Sequence, residues 1–190
     1  MNKGLTFTDA QIACLCFFCI YLSGCNHPLK PGGTGIEIRG SKAFVVQVDR
    51  SLKLLENKAP YAYEIIINNV RRIEQGEHSG MRANITPPTF ELNDRTAFYS
   101  VTWCAGSIAH DSYHSKLYHD YKKIHSGPVP DIIWGGQNVE LECIKHQINV
   151  LKQIGAPKLE IDHCRQQDGS HYDINKDGKY DWDDYKKRDW

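Results

Sequence analysis

The stretch "AHDSYHSKLYHDY", Ala109 to Tyr121, sets two imidazoles, His110 and His114, four residues apart and follows the first at once with a carboxylate, Asp111. No Pro or Gly interrupts it, so it reads as helix. At about 100° per residue, His114 lies about 40° from His110, with Tyr113, Leu117 and Tyr121 around the same face. Ser112, Ser115, Lys116, His119 and Lys122 fall on the side expected to be wet. Imidazoles at i and i+4 converge on one metal ion. On an apolar face they need a partner in any case, because a buried ring nitrogen without one is costly. A hydrogen bond to each other or to the backbone is the alternative to a metal.

A third donor is offered by "QNVELECIKHQINVLKQIGAP", a second amphipathic helix ended by Gly155 and Pro157. With Ile144 as reference, Glu140 falls at about −40°, among Leu141, Gln147, Ile148 and Leu151. Glu142 falls at about 160°, beside His146 and Gln153 on the polar side. A carboxylate on an apolar stripe is expensive unless paired or metal-bound, so Glu140 is the expected ligand. The alternative is a Glu paired with a local basic group at a helix N-terminus, where the dipole favours negative charge.

These residues resemble the H-E-x-x-H helix of zinc metallopeptidases, with Asp111 where that family has Glu. "ELEC" is similar to the E-x-x-A signature of gluzincins, whose third ligand is a Glu on a following helix; Cys143 takes the small-residue place. The resemblance spans roughly residues 85 to 155. It implies Zn²⁺ on His110, His114 and Glu140, Asp111 as the general base for a metal-bound water, and a peptide or protein substrate. It also implies an α+β fold, a mainly helical zincin-like domain over residues 41–165 with a small β-sheet edging the cleft. Asp120 and Tyr121 are candidates to orient the ligands, and one of His146, His163 or His171 to steady an oxyanion; for each of these a surface or core role is the favoured alternative. Asp111 is one methylene shorter than the family's Glu. The competing expectation is therefore a catalytically inactive metal-binding protein that serves as a binding or scaffold protein.

A second cluster lies in "DINKDGKYDWDD", Asp173 to Asp184. Asp173, Asn175 and Asp177 occupy positions 1, 3 and 5 of a twelve-residue loop, and Gly178 at 6 permits a sharp turn. Lys179 would give its carbonyl at 7, followed by Asp181 at 9 and Asp184 at 12. Hard oxygen donors in this alternation suit Ca²⁺. The loop resembles those of EF-hands, and with Asp at position 12 it is more similar to the dockerin type. Gly169-Ser170 just upstream speaks against a long entering helix. Residues 166–190 are thus expected to form a calcium-loop extension, the alternative being a solvated acidic tail.

At the other end, "IACLCFFCIYLSGC", Ile12 to Cys25, is an apolar run of signal-peptide length. Its Leu22-Ser23-Gly24-Cys25 ending resembles the lipobox of bacterial lipoproteins. That implies a signal peptide over 1–24, lipidation of Cys25 and a tether over 25–40 containing "PGGTG". The expected location is the bacterial cell envelope, held to the membrane by the N-terminal lipid. Asn26 in place of Asp favours the outer membrane over the inner. Cys14, Cys16, Cys19 and Cys25 then belong to leader or anchor, and Cys104, Cys143 and Cys164 remain in a compartment that permits disulfides. Three allow one bridge and a spare; Cys143 with Cys164 is the expected pair. With 23 basic and 23 acidic residues the chain has no positive excess to meet phosphates, which argues against nucleic acid as partner.

The remaining elements are read from periodicity. "VVQVDRSLKLLENK" carries Val45, Val48, Leu52 and Leu55 at helical spacing. "PYAYEIIINNVRRIEQG" continues with Ala62, Ile65, Ile66, Asn69, Val70 and Ile73 on one helical stripe from Pro60 to Gly76. "MRANITPPTFELND" predicts one or two short strands broken by Pro87-Pro88.

Overall fold

The computed structural model of the chain describes residues 35–178 and 182–187. The segment expected to be a signal peptide and Cys25, the expected lipidation site, lie outside the described residues. A four-stranded sheet packs with a group of helices, one of them longer than the rest. The strands are β1 (Glu37–Arg39), β2 (Arg72–Gly76), β3 (Gly80–Arg82) and β4 (Thr89–Asn93). Their order is β1-β2-β4-β3, with β1, β2 and β4 parallel and β3 antiparallel at the edge. The helices are α1 (Lys42–Lys58), α2 (Pro60–Asn69), α3 (Asp94–Tyr99), α4 (Val101–Ile124), α5 (Gln137–Gln153), α6 (Lys158–Arg165) and α7 (Trp182–Lys187). This is the mainly helical α+β class expected, with a small sheet.

Two boundaries differ from the sequence reading. β1 falls inside the stretch assigned to the tether, so the fold begins by Ile36, which is buried with Ile38 against the rest of the core. The helical stripe expected from Pro60 to Gly76 also stops at Asn69, and its second half is strand β2. Val70 and Ile73 are fully buried there. β2 lies between β1 and β4, so tertiary pairing on both edges overrides a spacing that also fits a helix.

The long helix α4 positions the site. Its N-cap is Ser100, whose hydroxyl accepts from the Trp103 amide and donates to Glu160 Oε1 at 2.7 Å. Thr102 donates to the other oxygen of the same buried carboxylate at 2.8 Å. This ties α6 to the start of α4. One side of α4 packs on α1 and α2, and the other on α5. Ser112 and Ser115, expected on a wet side, are buried for this reason. Ser115 donates to the Asn69 carbonyl at 2.7 Å and Ser112 to the Ile108 carbonyl at 2.5 Å, so both small polar side chains are satisfied where α2 crosses closely.

Candidate metal centre

Four side chains meet where α4 faces α5. His110 Nε2 lies 3.2 Å from Glu140 Oε2, and His114 Nε2 lies 3.5 Å from the same oxygen. The two histidine Nε2 atoms are 3.2 Å apart. His171 Nε2, from a single 3-10 turn at Ser170–Tyr172, is 3.0 Å from Glu140 Oε2. Glu140 is buried at 4% exposure and His114 at 7%, whereas Glu142 is exposed. The helical phase therefore separated the two acids correctly. A tetrahedral ion bound at about 2.0–2.1 Å needs donor-to-donor edges of roughly 3.3–3.4 Å, close to the separations found here.

The outer nitrogens of both α4 histidines are already committed. Nδ1 of His114 is 2.7 Å from the Trp134 carbonyl. A carbonyl only accepts, so Nδ1 must carry the proton there. Nδ1 of His110 is 3.1 Å from Gln147 Oε1, which sets the same tautomer. In their neutral forms both rings then turn Nε2 lone pairs toward each other and toward a carboxylate. That arrangement is repulsive until a cation, either a proton or a metal ion, sits between them.

Without a metal, that cation is a proton. Burial alone would push His114 down, but the facing Cys143 and Glu140 outweigh it and hold the imidazolium well above the usual histidine range. Burial pushes the Cys143 thiol up, which leaves it neutral near pH 7, so the charge opposing His114⁺ is carried by Glu140. Burial would likewise raise Glu140. The facing His114⁺, together with the close contacts of His110, His114 and His171 on the carboxylate, holds it well below the ordinary carboxylate range.

The centre opens into a cavity of about 450 Å³. Ser79 and Met81, from β3 and the residue before it, line one wall together with Arg95; Trp103, Ser107 and Asp111 come from α4. The edge strand beside the cleft is thus present, and Asp111 borders the same space as the histidines.

Other expected residues are placed differently. Asp120 pairs with Lys116 at 2.5 Å and Lys123 at 2.7 Å, and Tyr121 stacks on His125 at 3.9 Å. Those local contacts on α4 are the surface role, the favoured alternative to orienting the ligands. Orientation falls instead to Gln147 and the Trp134 carbonyl. Trp134 follows a 3-10 turn at Asp131–Ile133 and is held by an edge contact with Tyr118 at 5.4 Å. A backbone carbonyl in a loop leaves no residue-type signal in the sequence. Gln147 does, since it lies on the Glu140 face two turns further on. Of the three oxyanion candidates, His171 joins the centre. His163 is exposed at the cavity rim, and His146 stacks on Tyr113 at 4.8 Å.

The expected Cys143–Cys164 bridge is not made: Cys104, Cys143 and Cys164 are all free and buried. The thiol of Cys143 is turned to the candidate centre, where it lies within 4.8 Å of nitrogens on His110 and His114. Burial raises Cys164 to about 12.

The C-terminal loop brings four of its six expected donors into one turn. Asp173 accepts from the Asp177 and Gly178 amides at 3.0 and 2.8 Å, and Asn175 Oδ1 also accepts from Asp177 at 3.0 Å. Asp184, fully buried at the start of α7, accepts from the Ile174 and Asn175 amides at 2.9 and 3.2 Å. Gly178 has φ +82°, as the sharp turn requires. Lys179 and Asp181 lie outside the described residues.

No protein-family model, curated protein or solved structure matches this chain.

Proposed function

We propose that this chain is a zinc-dependent peptidase of the bacterial cell envelope, anchored through a lipid on Cys25 and facing the periplasm or the cell surface. The observation that carries the reading is the convergence of His110, His114 and Glu140 with both histidine tautomers fixed to present Nε2. Zinc bound there would acidify a water and polarise a carbonyl. Asp111 borders the cavity and is the group to take the water's proton. Peptide or protein is the substrate class, on the resemblance of the His-Asp-x-x-His and Glu helices to zinc peptidases. The loop from Asp173 to Asp184 is proposed to hold Ca²⁺ and pin the C-terminus. Its folded turn, with Asp184 reaching back to residues 174 and 175, supports that reading.

The test uses full-length protein purified in detergent without chelators. Mass spectrometry of the metal content should find about one zinc per chain, lost in His110→Ala. Asp111→Ala should keep the zinc and lose hydrolysis of a mixed peptide library, by roughly a hundredfold or more. Protein that holds no transition metal overturns the proposal.

A second reading is favoured by the placement of His171. A metal held by four protein donors has no position left for water, as in structural sites. Zinc retained without hydrolysis in the wild type would select that reading, a metal-binding envelope lipoprotein acting as a scaffold.

A further inference from the structure

We infer that His171 is a fourth protein donor to the metal centre, so that the segment from Asp168 to Tyr172 closes the site in the state seen here. The inference rests on the metal-centre reading above and adds to it which residue fills the remaining corner.

His171 Nε2 lies 3.0 Å from Glu140 Oε2, and its ring centroid is 6.4 Å from that of His110. One donor atom from each of His110, Glu140 and His171 falls within 4.8 Å of the others. His171 thus stands on the same carboxylate oxygen that the α4 histidines approach, but it arrives from a different part of the chain.

The placement is built by local structure. Gly169 is buried with φ +79°, and a Cβ there would meet the Gln137 carbonyl oxygen at 2.7 Å and Leu141 Cγ at 3.2 Å. Gln137 Nε2 donates to the Asp168 carbonyl at 3.1 Å, and the Ser170 amide donates to Asp168 Oδ1 at 2.9 Å. Gln137 opens α5 and Glu140 stands one turn later, so the turn that presents the carboxylate also seats the segment that brings His171. Only a residue without a side chain fits at 169, and only with that close approach does the next turn aim an imidazole into the centre.

Closure of this kind is reversible, because the segment is tied to α5 by the Gln137 hydrogen bond, the His171–Glu140 pair and one glycine contact. Water or substrate would reach the metal only when Ser170–Tyr172 moves off. His171 is then the residue that decides between a closed and an open coordination sphere.

Cobalt(II) substitution tests this, with full-length protein in detergent and acetohydroxamate as the probe ligand. Wild-type protein should take up one Co²⁺ with intense visible ligand-field bands that shift only at acetohydroxamate concentrations at least about tenfold above those His171→Ala needs. His171→Ala should keep the Co²⁺, show weaker bands as water enters, and shift its bands on adding acetohydroxamate. Gly169→Val, which leaves every donor in place but obstructs the seating of the segment, should behave like His171→Ala; near-ultraviolet circular dichroism checks that both variants are folded. Bands in His171→Ala identical to wild type, or a wild-type spectrum that responds at the same acetohydroxamate concentration as His171→Ala, would overturn the inference and leave the metal centre standing. Wild-type protein that takes up no Co²⁺ overturns both.

Discussion

His114 gives one ring proton to a backbone carbonyl, and that single bond dictates what its other nitrogen can do. In the metal-free protein the other nitrogen is protonated against Glu140; if the proposed zinc binds there, that proton must leave. Zinc affinity should therefore rise with pH, by up to about tenfold per unit while one proton is displaced. Titration of zinc binding at pH 6, 7 and 8, together with calorimetry in buffers of different ionisation enthalpy, would read this directly. Affinity independent of pH would mean that His114 is neutral before the metal arrives. His146 behaves in the opposite way. Burial, helped by Lys116 nearby, pushes it down to about 4. Its folded pKa lies below the unfolded value of about 6.5, so the stability tied to neutral His146 is full above that pH. It is lost as pH falls toward 4, on the order of 2 kcal/mol after allowing for partial exposure. His146→Phe keeps an aromatic partner for Tyr113 and should flatten that part of the profile. Urea midpoints at pH 7 and pH 4.5 for the two proteins would show it.

Helices α4 and α5 turn these residues into a centre, and their approach depends on one small residue. Gly106 lies one turn before His110, and a Cβ there would already meet Leu151 Cδ2 at 2.7 Å and Gln147 Cγ at 3.5 Å. Gly106→Val should force α5 outward and disturb the Gln147 contact that orients His110. The expected result is a loss of about 1–3 kcal/mol in stability and weaker zinc binding, read by denaturation and competition titration. Glu160 is a purely structural counterpart: Glu160→Ala would leave Ser100 and Thr102 without their acceptor, at a cost of about 1–3 kcal/mol, with zinc content unchanged. The sequence reveals such elements unevenly. Helical phase on α5 separates Glu140 from Glu142 because one side of that helix meets the core and the other meets water. The same argument fails on α4, where Ser112 and Ser115 are buried because the helix is enclosed on two sides. Where a helix is packed on two sides, its small polar residues no longer mark a wet face. β2 fails differently: its apolar spacing fits both periods, and only its neighbours in the sheet decide.

For the molecule as a whole, two metals of different chemistry are proposed to hold two regions, and chelators should separate them. A calcium-selective chelator should lower the melting temperature and loosen the C-terminal loop while zinc stays bound. A zinc-selective chelator should destabilise the core around α4 and α5 while added Ca²⁺ still protects the tail. At a hundred times its dissociation constant each ion adds about 2.7 kcal/mol. Thermal melts with each chelator, followed by back-titration of the matching ion, would test it, and one shared transition under both would argue that a single metal accounts for the stability.

The positions of the donors have a further consequence. His110 and His171 stand about 60 residues apart along the chain, and a cross-link closing a loop of that length stabilises by roughly 4 kcal/mol through the unfolded state. The three described cysteines are all free and make no such bridge. If one ion joins α4, α5 and the C-terminal turn, it does the work of the missing disulfide. Such a clasp would be insensitive to thiol reductants, would open to acid as its histidines protonate, and could close again without an oxidant.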